Sequence, residues 1–289
     1  MHARSALFDL YGDHLRTRGG VAPVATLVRL LAPVGIAAPA VRTAISRMVR
    51  QGWLRPERDR RGSAYALTPR AARRVDDAAA RIYRTGDTSW DGRWHLLVVT
   101  PPEGRTARTR LANDLGFLGY GALAGGTWVS PRAAAEVDTL LADTGVRAER
   151  FHATHLDGLG GDTGLVRRAW DLDALAAAYT EFVTALRPVV EPVAADGDDE
   201  RAFAARFQLV HAWRAFLFRD PGLPAALLPD DWPGTAAAIF FDHHAARLRA
   251  AAGRQVDRCL PVGSGRTDRS GGTPCPTPSP SSAPAASPP

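Results

Sequence analysis

Several residue types and patterns are scarce in this sequence. It contains no lysine, so all 36 basic residues are arginine. Its two cysteines, Cys259 and Cys275, lie near the C-terminus, and neither their number nor their spacing supports a disulfide framework or a zinc site. No apolar run is long enough to span a membrane, and the N-terminal MHARSALFDLYGDHL lacks a signal-peptide pattern. We therefore expect a cytoplasmic protein with no membrane partner.

Charge is distributed unevenly along the 289 residues. Residues 1–84 hold 16 arginines and 6 acidic residues, a net charge of +10, whereas residues 85–289 carry a net charge of −4. The absence of lysine is typical of a GC-rich genome, so the choice of arginine alone indicates little. A basic N-terminal part on an acidic remainder predicts that the N-terminal part meets a polyanion.

The stretch VRTAISRMVRQGWL, residues 41–54, is typical of an amphipathic helix. At about 100° per residue, Val41, Ala44, Ile45, Met48 and Val49 fall on one side. Guanidinium and hydroxyl groups, which suit phosphates and guanine edges, fall on the other side. A solvated surface helix would give the same pattern, so the neighbouring segments have to decide. The polar side consists of Arg42, Thr43, Ser46, Arg47 and Arg50.

The neighbouring segments predict a winged helix-turn-helix domain over residues 1–86, which we call the head. Helices are expected over 3–15, 23–35 and 36–52, and a further helix over 69–84. Two short alternating segments flank the basic turn RDRRG at 58–62 and predict a hairpin, or wing. The 36–52 helix then takes the place of a recognition helix, and we expect the wing residues Arg58, Arg60 and Arg61 to contact phosphates or the minor groove.

The rest of the chain predicts two further domains, and the fold class is α+β. Residues 90–157 show the order β-α-β-β-α-β, which indicates a ferredoxin-like middle domain. The glycine-rich 158–164 is interpreted as a hinge, and residues 165–256 as a helical C-terminal domain. Its helices are expected over 165–188, 198–221 and 234–253. Residues 257–289 are rich in Pro, Ser and Gly and are expected to be disordered.

The chain resembles the PaaX family of phenylacetic acid degradation repressors over roughly residues 1–260. Three stretches carry the resemblance: VRTAISRMVRQGWL, RWHLLVV (93–99) and HAWRAFLFRDPGLPAALLPDDWPG (211–234). The resemblance implies a winged-helix head, a Cas2-like middle domain and a helical C-terminal domain. It also implies a homodimeric repressor of aromatic-acid catabolism that leaves double-stranded operator DNA when it binds an aryl acyl-CoA such as phenylacetyl-CoA.

A Cas2-like domain raises the alternative of a metal-dependent nuclease. Such enzymes hold a divalent metal with an aspartate at the end of the first strand, where this chain has Thr100 and Pro101. His152 and His155 are three apart in a predicted strand and so point to opposite faces. The Asp-His-His run at 242–244 is interpreted as part of a surface helix. We expect no metal, no cofactor and no enzymatic activity.

Arg214 lies on the apolar face of the predicted 198–221 helix, where a charge needs a partner. The structural interpretation, which we favour, is an ion pair with Asp220 or Asp231. The functional alternative is that Arg214 binds the carbonyl or phosphates of an acyl-CoA. In that alternative an aryl pocket would be lined by Phe207, His211 and Trp213.

Overall fold

The computed structural model describes residues 1–59, 62–82, 89–156, 160–194 and 197–260, and it confirms the α+β class. The head contains four helices and a three-stranded antiparallel sheet of order β1-β3-β2. Strand β1 was not predicted, because three residues beside a proline give no detectable alternation. The helices are α1 Ala3–Leu10, α2 Val24–Leu31, α3 Ala38–Arg50 and α4 Pro69–Ile82, and the strands are β1 Val21–Pro23, β2 Leu54–Asp59 and β3 Gly62–Leu67.

The first predicted helix is less regular than its pattern suggested. After α1, the chain continues as a π-helical segment, Tyr11–Leu15, and a 3-10 turn, Arg16–Arg18. The predicted apolar face is nevertheless fully buried, since Leu7, Leu10, Tyr11 and Leu15 are all inaccessible to solvent. Helix α3 packs on this face.

The middle domain has the predicted β-α-β-β-α-β order. Its sheet order is β5-β6-β4-β7 with every neighbouring pair antiparallel, which is the ferredoxin-like arrangement. The second helix begins at Val137, six residues after the proline at 131 that was expected to start it. The elements are β4 Trp94–Val99, α5 Arg105–Phe117, β5 Gly121–Ala122, β6 Thr127–Ser130, α6 Val137–Thr144 and β7 Ala148–Ala153.

The C-terminal domain is helical, but its helices are divided differently from the prediction. The expected 165–188 helix is two helices, and the expected 198–221 helix ends at Trp213 and continues as a 3-10 segment, Arg214–Phe218. The expected 234–253 helix is interrupted at Leu248. The helices are α7 Gly161–Ala169, α8 Leu172–Val190, α9 Asp199–Trp213, α10 Pro233–Arg247 and α11 Arg249–Cys259.

Two expected flexible segments need correction. Residues 161–164 of the proposed hinge form the first turn of α7, and residues 157–159 lie outside the described residues. The tail was expected from residue 257, but α11 continues to Cys259, whose side chain is buried. Residues 261–289 lie outside the described residues.

The head and the C-terminal domain share one hydrophobic core. Phe203 and Phe207 of α9 and Val256 and Cys259 of α11 pack in the same cluster as the inner faces of α1, α2 and α3. Since burial of apolar surface is the main favourable contribution to folding, these two domains stabilise each other. None of the helices in the described part of the chain is long and apolar enough to cross a membrane.

Candidate nucleic-acid interface

Helix α3 separates its two faces as the sequence predicted. Four of its five inner side chains are exposed by 7% or less, and this face packs on α1 and α2. Pro39 stands in its first turn, where a missing N–H costs no hydrogen bond. Its end is fixed by Gly52, which has a φ of 70°. All five candidate DNA-binding residues of the helix are exposed: Arg42, Thr43, Ser46, Arg47 and Arg50.

The wing is the β2–β3 hairpin, which follows α3 directly. Arg58 of β2 is exposed and lies opposite Ser63 of β3, next to the tip. Arg60 and Arg61, the other two predicted wing contacts, lie outside the described residues. Helix α3 and the base of the hairpin are joined by the Trp53 amide, which donates to the Met48 carbonyl at 2.8 Å.

A buried carboxylate holds the head to the C-terminal domain. Asp9 of α1 is buried, and its two oxygens face His211 Nδ1 at 2.6 Å and Arg214 Nε at 2.7 Å. Arg214 therefore pairs with Asp9, and the expected partners Asp220 and Asp231 are wrong. The partner was missed because it lies on a different domain, about 200 residues away in the sequence.

A second ion pair between the two domains involves Asp13, four residues after Asp9, and both of its side chains are buried. Arg206 of α9 donates from Nη2 to Asp13 Oδ1 at 2.7 Å and from Nη1 to the Ala245 carbonyl. His14 Nε2 lies 3.2 Å from the other Asp13 oxygen, but burial lowers the pKa of His14 to about 4, so this imidazole is neutral at neutral pH. The pair was also missed, since neither residue stands out by local pattern.

Further polar contacts between the head and the C-terminal domain lie at the edge of their interface. Arg18 forms an ion pair with Asp257 at 2.6 Å, and the Cys259 carbonyl accepts from Thr26 Oγ1 at 3.0 Å and from Arg29 Nη2 at 2.7 Å. Together with the shared core, these contacts hold α1 and α2, on which the recognition helix packs, against α9 and α11.

The four candidate effector residues do not line one pocket. Phe207 is 2% exposed and packs with Phe203 in the core shared with the head. Trp213 is 6% exposed, stacks on Phe241 at 4.8 Å and belongs to a separate core of the C-terminal domain. The expected aryl pocket is therefore wrong, because α9 turns these two side chains into different clusters. The remaining two, His211 and Arg214, are partly exposed beside Asp9.

The nuclease alternative concerns the end of the first strand of the middle domain. Strand β4 ends at Val99 and is followed by Thr100 and Pro101, so a carboxylate is missing where such an enzyme would hold its metal. Across the described part of the chain, no three His, Cys, Asp or Glu side chains are grouped to hold a metal ion. His152 contacts the ring of His95 at 5.3 Å, whereas His155 Nδ1 lies 3.5 Å from Asp162.

The Asp-His-His run at 242–244 is not simply a surface feature. His244 is buried, and burial, with Arg247 close by, lowers its pKa. Its Nδ1 lies 3.1 Å from Arg247 Nη2, and its ring packs on Phe240. His244 is therefore part of the packing between α10 and its neighbours.

A winged helix-turn-helix head with an exposed arginine face on α3, joined to a ferredoxin-like domain and a helical domain, defines a DNA-binding regulator. Family models match in all three parts: "PaaX-like protein" over residues 2–71, "PaaX protein central Cas2-like domain" over 87–162 and "PaaX-like protein C-terminal domain" over 170–258. The chain belongs to the PaaX family.

One curated protein agrees with this assignment, and one solved structure shares the fold. The chain is 34% identical over 241 residues to the transcriptional repressor PaaX of Escherichia coli strain K12, an alignment that covers 81% of this chain and 76% of that protein. A solved structure, the uncharacterized protein Rv0674 from Mycobacterium tuberculosis, superposes with a TM-score of 0.63 at 25% identity over 89% of this chain and 98% of that one. The chain is accordingly a DNA-binding transcriptional repressor and not an enzyme.

Proposed function

We propose that this repressor controls an operon of aromatic-acid catabolism and leaves its operator when it binds an aryl acyl-CoA such as phenylacetyl-CoA. The observation that carries the DNA-binding part is the exposed arginine face of α3. The effector and the operon are proposed from the resemblance to the PaaX family of phenylacetic acid degradation repressors.

In this proposal α3 reads bases and the wing contacts the backbone. A helix of 13 residues is about 20 Å long, which suits the major groove. Arg42 and Arg47 lie on its exposed face and have forked guanidinium groups that match the acceptors of guanine. Arg58, and Arg60 and Arg61 beyond it in the sequence, would hold phosphates beside the recognition site.

We further infer a homodimer that buries the exposed part of the middle-sheet face opposite α5 and α6; the other part of this face, with Trp94 and Val129, packs on α7. Phe151 on β7 pairs in register with Leu96 on β4, so both side chains point away from α5 and α6 together with Val98. Phe151 is 49% and Val98 42% exposed, an unusual condition for large apolar side chains on neighbouring strands. A second copy would cover this face and place two heads on two half-sites.

Release by an effector is then a population shift between dimer geometries. Because the head and the C-terminal domain share a core, the buried Arg206–Asp13 pair and the partly exposed Arg214–Asp9 pair, we infer that they move together. An effector that favours a dimer arrangement with a different distance between heads weakens binding to both half-sites at once. His211 and Arg214 are the candidates for contact with the acyl-CoA, since their side chains are partly exposed.

The proposal is tested by measuring affinity for the DNA upstream of the protein's own gene, with and without a panel of aryl acyl-CoAs and acetyl-CoA as the control. We expect tight binding that at least one aryl acyl-CoA weakens by tenfold or more. Affinity that no acyl-CoA changes would instead identify a DNA-bound scaffold without a small effector. Absence of preference for upstream DNA over random DNA would reject the operator assignment.

The dimer is tested separately. Phe151→Glu should convert a dimer into a monomer in light scattering after size-exclusion chromatography, because it places a charge on the covered face. Ile239→Glu is the matched control, since Ile239 is equally apolar and more exposed but lies on α10. A monomeric wild-type protein, or dimers in both variants, would reject this interface.

A further inference from the structure

Three arginines of the head converge on one indole ring. The guanidinium carbons of Arg4, Arg70 and Arg74 lie 5.9, 5.5 and 5.7 Å from the ring centre of Trp53. The ring itself is fixed by an edge contact with Phe8, whose centroid is 5.3 Å away. We call Arg4, Arg70, Arg74 and Trp53 the arginine–tryptophan patch.

The patch concentrates positive charge on one part of the head. Arg70 and Arg74 stand four apart on α4, a spacing at which like charges destabilise a helix. Among the described residues, no carboxylate forms an ion pair with any of the three arginines, although elsewhere in the head Arg16 pairs with Asp76. All three side chains belong to exposed residues. Such a cluster is relieved by a polyanion.

The patch lies where the recognition helix ends. Gly52 reverses the chain after α3, and Trp53 follows directly, three residues after Arg50. Thr68 immediately precedes α4, and it binds this turn by donating from Oγ1 to the Gly52 carbonyl at 2.8 Å. The patch therefore lies at the C-terminal end of α3, close in the chain to the exposed Arg50.

We propose that the arginine–tryptophan patch is a second DNA contact, which binds backbone phosphates outside the bases read by α3. The cation–π contact holds each guanidinium beside the indole without using its N–H groups, which stay available for phosphate oxygens. Contacts of this kind fix register and add affinity without reading sequence. This inference rests on the proposed operator binding and extends the interface to the operator flanks.

The proposal is tested with two DNA lengths. The operator core is compared with the same core carrying about ten further base pairs on each side, for the wild type and for the double variant Arg70→Ala, Arg74→Ala. We expect the wild type to bind the longer DNA several-fold more tightly. The variant should lose this advantage and keep the affinity for the short DNA within about twofold.

The salt dependence gives a second readout on the longer DNA. The slope of log affinity against log salt should decrease by about one unit for each phosphate that the variant no longer binds. The double variant Arg187→Ala, Arg219→Ala removes the same charge from exposed positions of the C-terminal domain and should change neither readout. Melting temperature and circular dichroism check that each variant is folded.

The possible failures are distinguishable. If the wild type shows no preference for its upstream DNA, the proposed operator binding fails, and this inference fails with it. If the wild type prefers the operator but binds both lengths equally, or if the two double variants weaken binding to the same extent, only the patch is rejected.

Discussion

Replacing Arg206 with methionine tests the buried junction between the head and the C-terminal domain. The side chains of Arg206 and Asp13 are 3% and 7% exposed, and their closest atoms are 2.7 Å apart. The variant removes the guanidinium that pairs with this buried carboxylate, and His14, 3.2 Å from its other oxygen, is neutral at pH 7. Breaking a buried pair in this way costs about 3–5 kcal/mol.

A destabilisation of this size is readily measured. At about 2–4 °C per kcal/mol for a chain of this size class, the melting temperature should fall by about 6–20 °C. Urea unfolding followed by circular dichroism gives the free energy directly. The double variant Asp13→Asn, Arg206→Met removes both charges and should recover a large part of the stability, because the uncompensated carboxylate is gone. A single variant within about 0.5 kcal/mol of the wild type would refute the reasoning.

Three further predictions concern the wing, the end of α3 and the buried histidine. Arg58→Ala should reduce the salt slope of DNA binding by about one unit, and an unchanged slope would argue against a phosphate contact by the wing. Gly52→Ala should lower the free energy of unfolding in urea by about 1–2 kcal/mol, because the backbone φ at this position is 70°. Gly116→Ala inside α5 is the control and should be neutral or stabilising. Equal effects of the two substitutions would contradict this explanation. Burial lowers the pKa of His14 from 6.5 to about 4, so as the pH falls the unfolded state binds the proton before the folded state does. The stability that His14 contributes should be complete above pH 6.5 and decrease by about 1.4 kcal/mol per pH unit toward pH 4, and His14→Gln should flatten this dependence in urea titrations at several pH values.

The recognition helix could be predicted because its signals are local. The apolar positions, the proline near its start and the glycine after its end all lie between Ala38 and Gly52, and they agree with one another. The same holds for the middle domain, where compact strands alternate with helices. Elements of this kind are specified by short-range patterns, and tertiary contacts only consolidate them.

The end of α9 could not be predicted for the opposite reason. After Trp213 the sequence RAFLF contains no glycine or proline that would stop a helix. Where the α-helix ends, Phe216 stacks on Tyr179 of α8 at 4.1 Å, a contact between distant segments that no local pattern reveals. The change to a 3-10 segment also redirects Arg214, which then reaches Asp9 on the head.

The buried pairs were missed for a related reason. Asp13 and Arg206 are 193 residues apart, and both lie on helices whose local patterns predict an apolar core. A charged residue on an apolar helix face indicates that it has a partner, as Arg214 did, but it does not indicate which residue that partner is. Only the packing of α1 against α9 identifies the partner.

The central claim is that the exposed arginines of α3 read the operator sequence. It is tested most directly by the ratio of affinities for the upstream DNA and for a scrambled duplex of equal composition, in the wild type and in Arg42→Ala, Arg47→Ala. A bidentate arginine–guanine contact discriminates by about 1–3 kcal/mol, so the ratio should fall by at least tenfold while the fold and the affinity for scrambled DNA change little. A correctly folded double variant that keeps the wild-type ratio would contradict the account.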